Sequence, residues 1–180
     1  MFINIITPCS RPDNIKKIFK SICIPLQNYH WYIVMDMDFI PANLPVSSNI
    51  TYIPYRDVNS LAGNSQRNFA LELISDDYVY FLDDDTIMHS DFWKTLNGCQ
   101  SDIIVFNQAF KDGSLRLFGG HVGPNVVDTG NVLMRRDIIG NIRWDVKNYN
   151  ADGYFLMDVN KMTKSKKYIP KILSYYNKLK

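Results

Sequence analysis

Three consecutive carboxylates, Asp83-Asp84-Asp85, end an apolar run, Tyr78-Val79-Tyr80-Phe81-Leu82. Aromatic and β-branched residues favour a strand there. A strand that delivers three acids to one point gathers like charges that repel, and each ionised carboxylate is costly to desolvate. A bound divalent cation relieves both penalties. Hard oxygen ligands suit Mg2+ or Mn2+, and such ions commonly hold substrate phosphates as well. The first expectation is therefore a metal-dependent enzyme acting on a nucleotide diphosphate, set against a solvated acidic turn that merely ends the strand. Gln66-Arg67-Asn68 opens the helix ahead of that strand. An arginine there offers a planar fork of donors to phosphate or carboxylate, and a helix start favours anions.

The elements that must position these groups follow from periodicity and punctuation. A first strand over 2–6 is broken by Thr7-Pro8. Residues 12–22 carry Ile15, Ile18, Phe19 and Ile22 at helical spacing, with Ser10 or Pro12 placed to start the helix. Strands follow over 31–35, ending at Asp36, and over 50–55. A helix over 64–74 has Phe69, Ala70, Leu73 and Ile74 on one side. The acidic strand is next, and then Ser90 as the cap of a helix with Phe92, Trp93 and Leu96. This alternation predicts an α/β fold, a mostly parallel sheet with helices on both faces. Ligands in such folds sit at the carboxyl ends of strands, where Thr7-Pro8, Asp36 and the aspartates all fall.

Beyond residue 100 the pattern changes. A strand over 102–106, a hairpin turn at Lys111-Asp112-Gly113-Ser114 and a strand over 115–118 precede a loop marked by Gly119, Gly120, Gly123 and Pro124. A short strand over 132–134 and a helix over 152–162 follow. Ile169, Ile172, Leu173, Tyr176 and Leu179 then have helical spacing with lysines between them, predicting a C-terminal helix. One domain over 1–180 is expected, with a nucleotide-binding half over 1–100 and an acceptor half over 101–180.

Composition bounds the function. With 180 residues, 46% apolar and 21% charged, the chain supports a globular core. A formal net charge of +2 argues against nucleic acid as a partner. Cys9, Cys23 and Cys99 form neither a metal-ligand pattern nor a disulfide framework, which points to a reducing compartment, and Cys9 reads as a small buried residue. No apolar stretch has the length of a membrane span, and the N-terminus lacks the basic start of a signal peptide. A soluble, cytoplasmic protein is expected.

Four segments together carry a resemblance: Ile6-Thr7-Pro8-Cys9-Ser10-Arg11-Pro12, His30-Trp31-Tyr32-Ile33-Val34-Met35-Asp36, Gly63-Asn64-Ser65-Gln66-Arg67-Asn68-Phe69-Ala70-Leu71, and Val79-Tyr80-Phe81-Leu82-Asp83-Asp84-Asp85. In order and spacing the first half of the chain resembles the nucleotide-binding half of GT-A glycosyltransferases. It is most similar to the β-1,3-glucuronyltransferases and shares features with glycosyltransferase family 2. The resemblance implies a GT-A fold, Rossmann-like, and roles for particular residues. Thr7, Pro8 and Arg11 would border a uridine pocket and Asp36 would contact the base. Arg67 would meet the nucleotide or its phosphates, with Asp83 and Asp84 near the ribose. Asp85, with Asp83 beside it, would bind Mn2+ or Mg2+ as the last acid of a DxD motif. Two features depart from the glucuronyltransferase pattern. Ala62 stands where those enzymes carry arginine, and no histidine follows His121. Lys164, Lys166 and Lys167 are alternative cations for the diphosphate.

In the second half, Val127-Asp128-Thr129-Gly130-Asn131 resembles the GT-A loop under the donor sugar and acceptor. Asp128 and Asn131 could bond sugar hydroxyls, Gly130 permits close backbone approach, and His121 could line the acceptor cleft. An inverting transferase needs a carboxylate to take a proton from the acceptor hydroxyl. Asp152, at a helix start, is the leading candidate, with Asp145 and Asp158 behind it. Trp93, Trp144, Tyr149 and Tyr154 could stack on sugar rings or fill the core. The expected partners are a UDP-sugar donor and a glycan or lipid-linked acceptor, and contact of the lysine-rich end with a membrane surface is left open. A retaining transferase, a sugar-phosphate nucleotidyltransferase and a non-catalytic nucleotide- or glycan-binding domain are the alternatives. The absence of glycine from Thr7-Pro8-Cys9-Ser10-Arg11-Pro12 counts against the nucleotidyltransferase.

Overall fold

The computed structural model describes residues 1–118, 122–123 and 126–180. In chain order the elements are β1 (Ile3–Cys9), α1 (Ile15–Ser21), β2 (Tyr29–Met35), β3 (Ile50–Pro54), α2 (Asn64–Glu72), β4 (Tyr78–Phe81), β5 (Ile87–Met88), α3 (Phe92–Leu96), β6 (Ile103–Ala109), β7 (Leu115–Leu117), β8 (Val132–Arg135), α4 (Arg136–Ile139), α5 (Ala151–Met162) and β9 (Lys166–Tyr175). They build one sheet in the order β3-β2-β1-β4-β8-β6-β9-β5, with β7 paired to β6.

The first four strands in this order are parallel, with Ile3 of β1 opposite both Tyr29 and Tyr78. The chain moves outward from β1 to β2 and β3, then returns to place β4 on the other side of β1. This reversal is a topological switch point, and the carboxyl ends of β1 and β4 open a crevice there. β8 runs antiparallel to β4 and β6, and β9 lies parallel to β6.

Alternation along the strands sends residues to two cores. Ile3, Ile5, Tyr80 and Leu82 face one core with Ile15 and Ile18 of α1 and Phe92 and Leu96 of α3. Ile6, Val79 and Phe81 face the other, with Ala70 and Leu71 of α2, Ile139 of α4, and Phe155, Leu156 and Val159 of α5. Helices thus cover both faces, as the alternating pattern requires. Among the described residues no helix is long and apolar enough to cross a membrane.

Three expectations are corrected. The chain from Lys166 to Tyr175 is strand β9, not a helix. Its register against β6 slips twice: Phe106 faces Ile169, Asn107 faces Ile172, and Gln108 faces Ser174. These bulges insert residues and break the two-residue alternation, so that Ile169 and Leu173 reach one core at a spacing that also fits a helix. Pro170 falls within the first slip, a position a strand tolerates. Second, α3 starts after Asp91 rather than from a Ser90 cap; the Phe92 amide bonds the His89 carbonyl at 3.0 Å. Third, α2 ends at Glu72 and buries Ala70 and Leu71; beyond it Ile74 is buried and Leu73 exposed, and the polar first turn of α2 is also buried.

Candidate active site

The switch-point crevice is a cleft of about 510 Å³. One wall comes from the first half of the chain: Pro8 at the end of β1 with Ser10 and Arg11 after it, Asp36 after β2, Gly63, Gln66 and Arg67 at the start of α2, and Asp83, Asp84 and Asp85 after β4. The opposite wall carries Arg116 of β7, Asp128, Tyr149 and Asn150, Asp152 and Gly153 of α5, and Tyr176, Asn177 and Lys180 beyond β9.

Gly63 joins the first wall together. It holds φ +76°, and a Cβ there would stand 2.6 Å from the Pro8 Cβ. Only glycine combines that backbone with so close an approach. Arg67, in the next turn, is 3% exposed. It donates to Asp83 Oδ1 and to the Ala62 carbonyl, each at 2.6 Å. Burial works against its charge, but Asp83 and Asp152 overcome that and hold its pKa above the ordinary value. Its Nε has no partner among the described residues. Gln66 donates to Asp36 Oδ1 at 3.3 Å, pairing an amide with a carboxylate at the end of β2.

The three aspartates have separate employment. Asp84 organises the loop after β1: its Oδ2 accepts from the Ser10 and Arg11 amides at 2.7 and 2.8 Å, and its Oδ1 accepts from Arg11 Nη1 at 2.7 Å. Burial pushes its carboxyl above the usual range against the pull of these donors. Asp83 faces Arg67. Asp85 Oδ2 meets Arg11 Nη1 at 2.6 Å and Lys180 Nζ at 3.8 Å. Asn177, oriented with its amide nitrogen toward Asp85, reaches Oδ2 at 2.9 Å. Arg11, Arg67 and Lys180 thus set positive charge against the triplet from within the chain.

Among the described residues no three His, Cys, Asp or Glu side chains converge on a metal position. The donor chemistry nevertheless fits a cation shared with substrate. Mg2+ takes one or two carboxylates and completes its shell with phosphate oxygens and water. Asp85 Oδ1 has only long contacts, 3.5 Å from Thr86 Oγ1 and 3.3 Å from Asn177.

Across the cleft, Trp144 Nε1 donates to Asp152 Oδ1 at 2.8 Å, and Asp152 faces the cleft from the first turn of α5. Asp128 accepts from the Gly130 amide at 2.8 Å and from Arg116 Nη1 at 2.9 Å. Burial first, then the charges of Asp83 and Asp152, push its carboxyl up to about 6. Arg116 also bonds Gln108 Oε1 and lies over the Tyr176 ring, 3.6 Å from its centroid.

Several sequence candidates stand elsewhere. Thr7 is fully buried; it donates to the Leu82 carbonyl at 2.6 Å and accepts from Trp31 Nε1 at 2.8 Å, fastening β1 to β4 behind the cleft. Asn131 is fully buried, its nitrogen on the Phe106 carbonyl and its oxygen on the Asp128 amide, so neither end is free for a sugar. Gly130 lies under the cleft floor, where a Cβ would meet Gln108 Nε2 at 2.8 Å. Lys166 and Lys167 pair with Ile103 and Ile104, and Lys164 precedes them, at the strand end away from the triplet; Lys180 takes the cationic place instead. Asp145 caps a turn at Lys147, and Asp158 pairs with Lys161 on an exposed face. Of the four aromatic candidates Tyr149 lines the cleft, while Trp144 belongs to the core. Burial and Asp84 push the Cys9 thiol up to about 12, in keeping with a small core residue. His121 lies outside the described residues.

Sequence reasoning missed Arg116, Tyr176, Asn177 and Lys180. The period-2 run Leu115-Arg116-Leu117 was a signal for the first. The others depend on β9 being a strand that ends at the cleft.

Neither a protein-family profile nor a curated protein sequence matches the chain. The fold, however, matches solved structures. S. aureus TarS 1-349 aligns at TM-score 0.76 and 16% identity, over 97% of this chain and 60% of that one. Its complex with UDP-GlcNAc aligns at TM-score 0.76 and 14% identity, over 97% and 58%. The mannosyltransferase PcManGT from Pyrobaculum calidifontis, in complex with GDP-Man and Mn2+, aligns at TM-score 0.65 and 10% identity, over 97% and 56%. The chain thus spans little more than half the length of these proteins, and what it shares with them is the GT-A glycosyltransferase fold.

Proposed function

We propose that the protein transfers a sugar from a UDP-sugar to a hydroxyl of a glycan or lipid-linked acceptor, with inversion. The observation that carries this reading is the cleft itself. A cationic and acidic nucleotide wall at the β1/β4 switch point faces a carboxylate, Asp152, fixed by one oxygen and open at the other. UDP is favoured because the TarS complexes with UDP and UDP-GlcNAc align more closely than the GDP-Man complex.

In this scheme the nucleotide lies along Pro8, Asp36 and Gln66, with its phosphates toward Arg11 and Lys180. Asp85, with Asp83 beside it, would hold Mn2+ or Mg2+. The ion when bound supplies positive charge to the departing diphosphate. Arg11 and Lys180 add charge at the same place, where negative charge develops as the sugar–phosphate bond breaks. Tyr149, exposed beside Asn150, offers the acceptor ring a stacking face. The acceptor oxygen attacks the anomeric carbon from the Asp152 side and gives its proton to the free Asp152 oxygen. The bond from the anomeric carbon to the phosphate oxygen breaks at the same time, and its electron pair leaves with UDP. The free thiols fit a reducing cytoplasmic setting.

The test is a donor panel of UDP-, GDP- and CMP-sugars with glycan acceptors, read as nucleotide release and as anomeric configuration by NMR. UDP release with inverted product is expected. Asp152→Asn should lower kcat by about a hundredfold or more while leaving UDP affinity within about twofold. A stronger response to GDP-mannose than to any uridine donor would overturn the donor assignment.

A further inference from the structure

We infer that Trp144 is a positioning residue for the base, and that Asn68 of the Gln66-Arg67-Asn68 segment serves to hold Trp144. The inference rests on the transferase reading above. Its structural basis is a relay of three residues from three parts of the chain. Asn68 Nδ2 donates to the Trp144 carbonyl, and the Trp144 amide donates back to Asn68 Oδ1, both at 2.9 Å. This reciprocal pair fixes the backbone of Trp144 against α2. The indole is 3% exposed, stacked on Phe155 with ring centroids 3.5 Å apart and planes 12° apart, and set edge-on to Phe81. A ring held from both sides has one orientation, and in it Nε1–H points at Asp152 Oδ1, 2.8 Å away.

The chemical consequence follows from the inventory of donors. Indole is a donor and never an acceptor. It therefore occupies one carboxylate oxygen without competing for the proton and leaves the other oxygen for the acceptor hydroxyl. Asp152 sits on the first turn of α5, and the same helix carries Phe155, so the stack and the hydrogen bond set one carboxylate rotamer. Reaction rates respond steeply to the placement of such a group. Arg67, whose Cζ lies 5.9 Å from the Trp144 ring centroid, brings the nucleotide wall to the same indole. The segment that reads as a phosphate-binding motif in sequence thus braces the opposite wall as well.

The experiment is a double-mutant cycle. Trp144→Phe keeps a stacking ring and removes the N–H. It should lower kcat about tenfold or more when Asp152 is present and by less than about twofold in an Asp152→Asn background, with UDP affinity by calorimetry and donor KM unchanged in both. An equal loss in both backgrounds, no loss in either while Asp152→Asn is impaired, or a change in KM alone would overturn the positioning role and leave the transferase reading standing. Full turnover by Asp152→Asn would overturn the base assignment and this inference with it. If Trp144→Phe does not fold, the bond is read directly: in the 15N-labelled protein, one of the three indole N–H resonances should shift on Asp152→Asn, and no movement would overturn the inference.

Discussion

Asp128 illustrates how a single side chain sets a pH dependence. Its carboxyl stands at about 6 in the folded chain, against an ordinary value of 3.8. Between these values the folded protein holds a proton that the unfolded chain has released. Stability from this group therefore falls as pH rises through that window, by on the order of 3 kcal/mol in all. Asp128→Asn keeps an acceptor for the Gly130 amide and removes the titration. The stability of the variant relative to the parent should rise by about 1–3 kcal/mol between pH 4 and pH 7 in urea unfolding; a constant difference would refute the assignment. At this scale several residues picked out by the sequence stand together in the cleft. Asp83, Asp84, Asp85, Arg67 and Asp152 are charged groups at strand ends and helix starts, and charged groups are buried only with partners, which here line the same cleft. Thr7 and Asn131 were not legible in the same way. A hydroxyl or amide serves equally in a binding site or as a partner for a buried carbonyl, and the neighbours that decide it, Leu82, Trp31 and Phe106, are distant in sequence.

At the level of elements, the join between β1 and α2 is the most constrained. Gly63 precedes α2 with positive φ and all but touches Pro8. Gly63→Ala must strain the backbone and push the β1 loop away. A loss of about 2–4 kcal/mol in stability is expected from denaturant unfolding, together with weakened UDP binding if the proposed site is right, since Pro8 and Arg67 both line the cleft. The parallel strands and α2 could be read from periodicity because each is a regular run. β9 could not. Its two register slips break the period-2 signal, and only pairing with β6 reveals why Ile169, Ile172 and Ser174 fall where they do.

Across the whole molecule, alternation of strands and helices foretold the parallel half and its carboxyl-end cleft. The sheet order of the second half was not legible, because short antiparallel strands choose neighbours by long-range contacts. That order matters chemically: it brings the segment after β9 back to Asp85, so the last residues of the chain close one side of the cleft. In the proposed scheme Mn2+ would compete there with Arg11 and Lys180. UDP affinity by calorimetry should therefore tighten roughly tenfold or more with Mn2+ and revert with chelator, while Asp85→Asn should bind UDP without regard to the ion. Metal-indifferent binding by the parent protein would remove the ion from the scheme.

The same return path has a practical side. The Leu179 amide bonds the Asp85 carbonyl at 3.0 Å, and Lys111 Nζ approaches the Lys180 carbonyl at 3.4 Å. Any peptide joined beyond Lys180, natural or an affinity handle, leaves the molecule at the mouth of the cleft. One joined ahead of Met1 leaves at the opposite rim, near Asn28. The choice of fusion end is thus a choice about whether turnover is measured through an obstructed or an open doorway.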